Sequence, residues 1–127
     1  TARTPIIDKS WLTPGCGLVT MHSGEVCEEV FLSADGVAAD YWTQLKKHVN
    51  PLAELTQEGK LDEANIIDLS ELVLGEKKLR TSDDQFVAAA SMGLGALDIM
   101  IAYQMYLNAC EKGIGTKVNL WDKPLWE

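Results

Sequence analysis

Hydrophobic residues run along this chain in short stretches, each closed by glycine, proline or a polar cluster. Thr4 precedes Pro5, which biases it away from helix, so Pro5-Ile6-Ile7 reads as extended. Trp11 to Gly15 reads as a turn punctuated by Pro14-Gly15. Gly17-Leu18-Val19-Thr20-Met21 has the composition of a short buried strand. Glu28 to Ala34 predicts one or two helical turns with acids at the N-terminal end. Gly36-Val37-Ala38-Ala39 predicts the next strand, with Asp40 at its carboxyl end.

Tyr41 to Val49 reads as a helix broken before Pro51, and Leu52 to Glu58 as its resumption, stopped at Gly59. Ile66-Ile67 predicts a strand, and Asp68 to Gly75 a helix closed by glycine. Glu76-Lys77-Lys78-Leu79-Arg80 reads as a solvated loop. Ser82 with Gln85 three residues later has the capping-box pattern, and Asp83 and Asp84 suit the first turn of a helix. That helix is expected to be buried as far as Leu97, being apolar nearly all round, and to end at Gly113. Strands alternating with helices argue for a parallel sheet. About three strand candidates are too few for a complete doubly wound domain. The expected fold class is therefore α/β: a partial parallel sheet with flanking helices and a long C-terminal helix.

The 127 residues suit one domain, and 46% of them are hydrophobic, as in a globular core. Lys and Arg number 11 against 19 Asp and Glu, a net charge of -8. No basic cluster exists to displace counterions from a phosphate backbone, so no nucleic-acid partner is expected. The longest apolar or small run, Phe86 to Leu97, falls short of the roughly 20 residues of a membrane helix, so no membrane partner is expected. Cys16, Cys27 and Cys110 are odd in number and scattered, arguing against a disulfide framework or a metal site. Idle thiols in a reducing cytoplasm are the simpler reading. Thr1 to Pro5 carries no apolar core of a signal peptide.

Several pieces, taken in order, resemble the C-terminal portion of the ornithine cyclodeaminase and mu-crystallin family. They are Thr1 to Ile6, Leu12-Thr13-Pro14-Gly15, Leu18 to Met21, Ala34-Asp35 with Asp40, and Leu69 to Gly75 with Arg80 to Asp84. Ser91-Met92-Gly93, Ala96-Leu97-Asp98 and Ala109 to Thr116 complete the series. The resemblance implies residues 1–80 as the C-terminal half of a dinucleotide-binding Rossmann domain. It implies residues 81–127 as a helical return to a substrate and dimerisation domain. The implied cofactor is NAD or NADP, with the Gly-rich fingerprint, the ribose ligand and the substrate-binding Lys and Arg lying upstream of Thr1. Gly93-Leu94-Gly95-Ala96-Leu97-Asp98 imitates G-x-G-x-x-G, but it lacks the third glycine and, on this reading, a preceding strand.

By the same resemblance, Thr1, Ala2, Arg3 and Met21 lie near the cofactor, and Met92 and Gly93 near its nicotinamide. Cyclodeaminases place a catalytic Asp just past the strand that ends at Met21. Here the loop Met21-His22-Ser23-Gly24-Glu25 is shorter and has no Asp. His22 and Glu25 are the titratable groups available to carry the proton of imine chemistry. The alternative is local: His22 hydrogen-bonds nearby and Glu25 starts the next helix. His48 reads as an exposed residue. The implied function is the C-terminal part of a cytoplasmic NAD(P)-dependent amino-acid cyclodeaminase or imine reductase, inactive alone. It would need the N-terminal portion or a second copy of the chain, and would act on a small amino acid or imine. The alternative is a non-catalytic, mu-crystallin-like ligand-binding or assembly role.

Overall fold

The computed structural model describes residues 4–21, 24–119 and 121. Four strands, β1 (Gly17–Thr20), β2 (Gly36–Ala39), β3 (Ile66–Asp68) and β4 (Val87–Ala90), form one parallel sheet in the order β1-β4-β2-β3. Helices α1 (Glu28–Leu32), α2 (Trp42–Leu45), α3 (Pro51–Gln57) and α4 (Leu69–Val73) run between the strands, and α5 (Gly95–Lys112) follows the last one. The α/β class, the parallel sheet and the long C-terminal helix are as the sequence predicts. Two compact units divide the chain, Thr1–Leu94 and Gly95–Glu127.

The sequence reading fails at β4. Val87–Ala90 is expected as buried helix and is instead an inner strand, paired with both β1 and β2. A short run buried on both faces looks the same as a buried helix by periodicity. The helix propensity of three alanines is worth a few tenths of a kcal/mol per residue against common strand formers, and two ladders outweigh it. Gln85 does not cap a helix either. Its side-chain oxygen accepts from the backbone N–H of Thr81 at 2.7 Å and of Ser82 at 3.2 Å, closing the turn before β4.

Elsewhere the elements lie where they are read, although the helix expected over Tyr41 to Val49 is only Trp42–Leu45. Buried Asn50 caps α3, its side-chain oxygen accepting from Ala53 N–H at 2.9 Å, with Pro51 in the first turn. Asp68 ends β3 and opens α4, its backbone N–H donating to Glu71 at 3.0 Å while its carboxylate accepts from Trp42 N–H at 2.6 Å. Gly15 has a φ of +78°, and a Cβ there would lie 2.6 Å from the carbonyl oxygen of Asp83. Only glycine serves that turn.

One face of the sheet is covered. Leu18, Thr20, Val37, Ala39, Ala88 and Ala90 meet Val30 and Phe31 of α1, Leu45 of α2, and Leu52 and Leu55 of α3 in one core. Register places Val19, Ala89, Ala38 and Ile67 in the row that faces the other way. Strand β1, expected to be buried, is a sheet edge with β4 as its partner, and Val19 is 61% exposed. Helix α5, considered by itself, has no buried residue and ends at Gly113, with Asp98 in its first turn.

Candidate functional site

Parallel strands deliver all their carboxyl ends to one edge, where open α/β sheets take ligands. Met21 emerges there from β1, Asp40 from β2 and Ser91-Met92-Gly93 from β4. The ladder continues one step past the strands: Ser91 N–H donates to Thr20 O at 2.9 Å and Asp40 N–H to Ala90 O at 3.1 Å. These three chain exits are therefore fixed relative to one another by backbone bonds.

Asp40 organises the edge. One carboxylate oxygen accepts from the Ser91 hydroxyl at 2.9 Å and from the backbone N–H groups of Met92 and Gly93, both at 2.8 Å. The other accepts from Tyr41 N–H at 2.8 Å. Partial burial pushes this carboxyl up, and the bonds from Ser91, Met92, Gly93 and Tyr41 outweigh it, holding the group below the ordinary 3.8. Gly93 has a φ of +87°, the left-handed backbone that lets its N–H and that of Met92 converge on one oxygen.

Glu25 is half-buried and accepts the Met21 N–H at 3.2 Å, while its carbonyl takes Ile6 and Ile7 N–H at 3.0 and 3.1 Å. The carboxylate is thus held beside the end of β1. On the other face of the sheet, bounded also by Leu69, Leu72 and Leu79, lies a hollow of about 300 Å³. Val19, Met21, Ala38, Ala89 and Leu72 make it apolar, and Asp40 and Ser91 give it a polar end. Alanines in two adjacent strands leave room for a flat group against the sheet. An apolar hollow with a few convergent polar groups is the usual form of a small-molecule site.

Of the residues singled out by sequence, the structure brings Met21, Met92, Gly93 and Glu25 to one edge of the sheet. Thr1, Ala2, Arg3 and His22 lie outside the described residues. His48 is exposed, three residues past the end of α2. The clasp formed by Asp40 and Ser91 was missed; an acid directly after one buried strand and a hydroxyl directly after the next was its signal. The G-x-G-x-x-G look-alike needs a correction. Strand β4 does precede Gly93 and a helix does follow it. Asp98 still replaces the third glycine, and no strand follows α5 among the described residues. Among the described residues no cluster of His, Cys, Asp or Glu is placed to hold a metal ion, and no helix is long and apolar enough to cross a membrane.

No protein-family model matches the sequence. N-((2S)-2-amino-2-carboxyethyl)-L-glutamate dehydrogenase of Staphylococcus aureus is 35% identical over 118 residues, which are 92% of this chain and 35% of the relative. The Delta(1)-pyrroline-2-carboxylate reductase of Thermococcus litoralis, solved with NADH and L-proline, superposes with a TM-score of 0.76 at 28% identity. That match covers 93% of this chain and 38% of the reductase. A probable ornithine cyclodeaminase from Bordetella pertussis shares the fold, with a TM-score of 0.70 at 23% identity over 90% of this chain and 38% of its own. The chain spans about a third of the length of the curated relative it matches over most of its residues.

Proposed function

From the chain's membership in the ornithine cyclodeaminase-like group, we propose that it is the C-terminal part of an NAD(P)-dependent oxidoreductase that works on the Cα–N bond of an amino acid. The observation that carries this is the carboxyl edge itself. A polar turn at Ser91–Gly93, an apolar hollow and the Glu25 carboxylate meet where a parallel sheet receives a dinucleotide. Residues 1–94, which carry all four strands, belong to the dinucleotide-binding half and the helical remainder to the substrate and dimerisation part, so the boundary read at residue 80 moves past β4. The exposed part of the second sheet face around Val19 and the outer edge of β1, unpaired among the described residues, are surfaces for the N-terminal portion or a second copy to cover. Its three cysteines are free, which suits a cytoplasmic protein.

The hollow is large enough for a nicotinamide ring, and its lining is almost wholly apolar with Asp40 and Ser91 at one end. Met21, Met92 and Gly93, with Thr1 to Arg3, are the residues of this chain that would hold the cofactor, which would supply a hydride acceptor or donor. Their task would be to orient the ring toward the substrate Cα. In the oxidative direction the amino acid loses Cα–H as hydride and N–H as a proton, and a C=N bond forms. Glu25 or His22 takes that proton. Water then adds to the C=N bond and splits it into a 2-oxo acid and an amine; reduction is the same path reversed. The S. aureus relative is named for a secondary amine joining two amino-acid units, and an N-substituted amino acid is the substrate class we assign here.

The test is to express the chain alone and joined to an upstream region carrying a dinucleotide loop, and to follow NAD(P)H absorbance with secondary-amine amino acids and cyclic imines. Turnover is expected in the joined protein only. Turnover by the 127 residues alone would overturn the incompleteness of this chain. A joined, folded protein that binds no dinucleotide would overturn the oxidoreductase reading.

A further inference from the structure

Asp40 sits where a catalytic base could sit, yet its geometry suits another task. Both carboxylate oxygens are occupied, by one hydroxyl and three backbone N–H donors. Taking a proton from a substrate would cost those bonds. Three of the four donors come from Ser91, Met92 and Gly93, fifty residues further along the chain. The fourth is the N–H of Tyr41 beside it. The carboxylate therefore does not reach outward. It folds the exit of β4 into one turn at the carboxyl edge, in which Met92 stays 40% exposed.

Resting on the cofactor reading above, we propose that Asp40 is a positioning residue for the nicotinamide half of the dinucleotide, acting through the Ser91–Gly93 turn. The adenosine and pyrophosphate half does not depend on it, because that half is held by a phosphate loop on another part of the enzyme. Asp40 thus separates the two halves of one ligand, which a residue serving general stability cannot do.

The experiment uses the complete enzyme and two probes, NADH and ADP-ribose, the second lacking the nicotinamide ring. The Asp40→Asn variant replaces an acceptor of four donors by a neutral amide. It is expected to weaken NADH binding about tenfold and to leave ADP-ribose within about twofold of the parent. Ser91→Ala removes one of the donors without touching the backbone bonds, and is expected to show a smaller loss of the same selective kind. It also decides the matter if Asp40→Asn does not fold. Equal weakening of both probes would mean a structural staple and overturn the proposal, as would unchanged NADH binding in both variants. A parent enzyme that binds neither probe would bring down the cofactor reading first, and this proposal with it.

Discussion

Arg80 reaches back to donate a 2.8 Å hydrogen bond to the carbonyl oxygen of Cys16, 64 residues earlier in the chain. The same nitrogen bonds the Gly15 carbonyl at 2.8 Å. Cys16 O also accepts Val87 N–H, the first rung between β1 and β4. The charged run Glu76–Arg80 therefore is not simply a solvated loop: its last residue clamps the entry to the sheet. Arg80→Ala is expected to destabilise the fold by about 1.5–3 kcal/mol, the usual worth of bonds to a charged group. Arg80→Lys should recover only part, since an ammonium lacks the planar fork. Urea midpoints measure both, and an unchanged midpoint for the alanine variant would refute the clamp.

Asn50 is buried and satisfies three backbone groups at once. Its oxygen accepts Ala53 N–H, and its amide donates to Leu45 O at 2.9 Å and His48 O at 2.8 Å. Asn50→Ala removes the helix cap and the amide's bonds to two carbonyls, of which Leu45 O still accepts His48 N–H at 3.1 Å, with an expected loss of about 2–4 kcal/mol. Asn50→Asp keeps the cap acceptor but sets a carboxylate against two carbonyl oxygens. That variant should be poorer at neutral pH and recover as the pH is lowered toward 4 and the carboxyl protonates. Denaturation across that range separates the two roles.

The clasp of Asp40 has a pH signature with a definite sign. Its folded-state pKa lies below the ordinary 3.8. The stabilisation it gives is therefore fully present above that ordinary value and is lost as the pH falls through the lower, folded one. Asp8, Asp84, Glu63 and Glu71 are lowered as well, through their own partners. Those groups are common to the parent and to Asp40→Asn, so they cancel in the difference. The gap in denaturation midpoint between parent and variant should narrow between pH 5 and pH 2. A gap that stays constant over that range would show that folding does not lower the pKa of Asp40.

Gly36 is fixed by contact and not by dihedral angle. A Cβ there would lie 2.2 Å from the carbonyl oxygen of Leu79 and 3.1 Å from its Cδ1. The segment before β4 must pass that close for β4 to enter between β1 and β2. Gly36→Ala is expected to cost about 1–3 kcal/mol, the range of overpacked cores. Thermal denaturation checks it. A variant as stable as the parent would mean that the 79–81 segment yields easily.

By itself the sequence determined the parts of this fold that local chemistry encodes. Asn50-Pro51 starts a helix, Asp68 with Glu71 starts another, Gly59 and Gly113 stop two, and Gly36–Ala39 is small and apolar enough for a strand. It also marked Met21, Met92, Gly93 and Glu25. Only the tertiary structure decided the identity of Val87–Ala90. Three alanines in a row favour helix locally, and what makes them a strand is the pair of neighbours that hydrogen-bond to them on either side. The site followed from that decision. Once β4 is a strand between β1 and β2, its exit lies beside Asp40, and a carboxylate that the sequence shows merely as the end of one strand becomes the acceptor that shapes another. Arg80 teaches the same lesson. Its charge is plain in the sequence, but the carbonyls it serves are 64 and 65 residues away, a distance no local pattern spans.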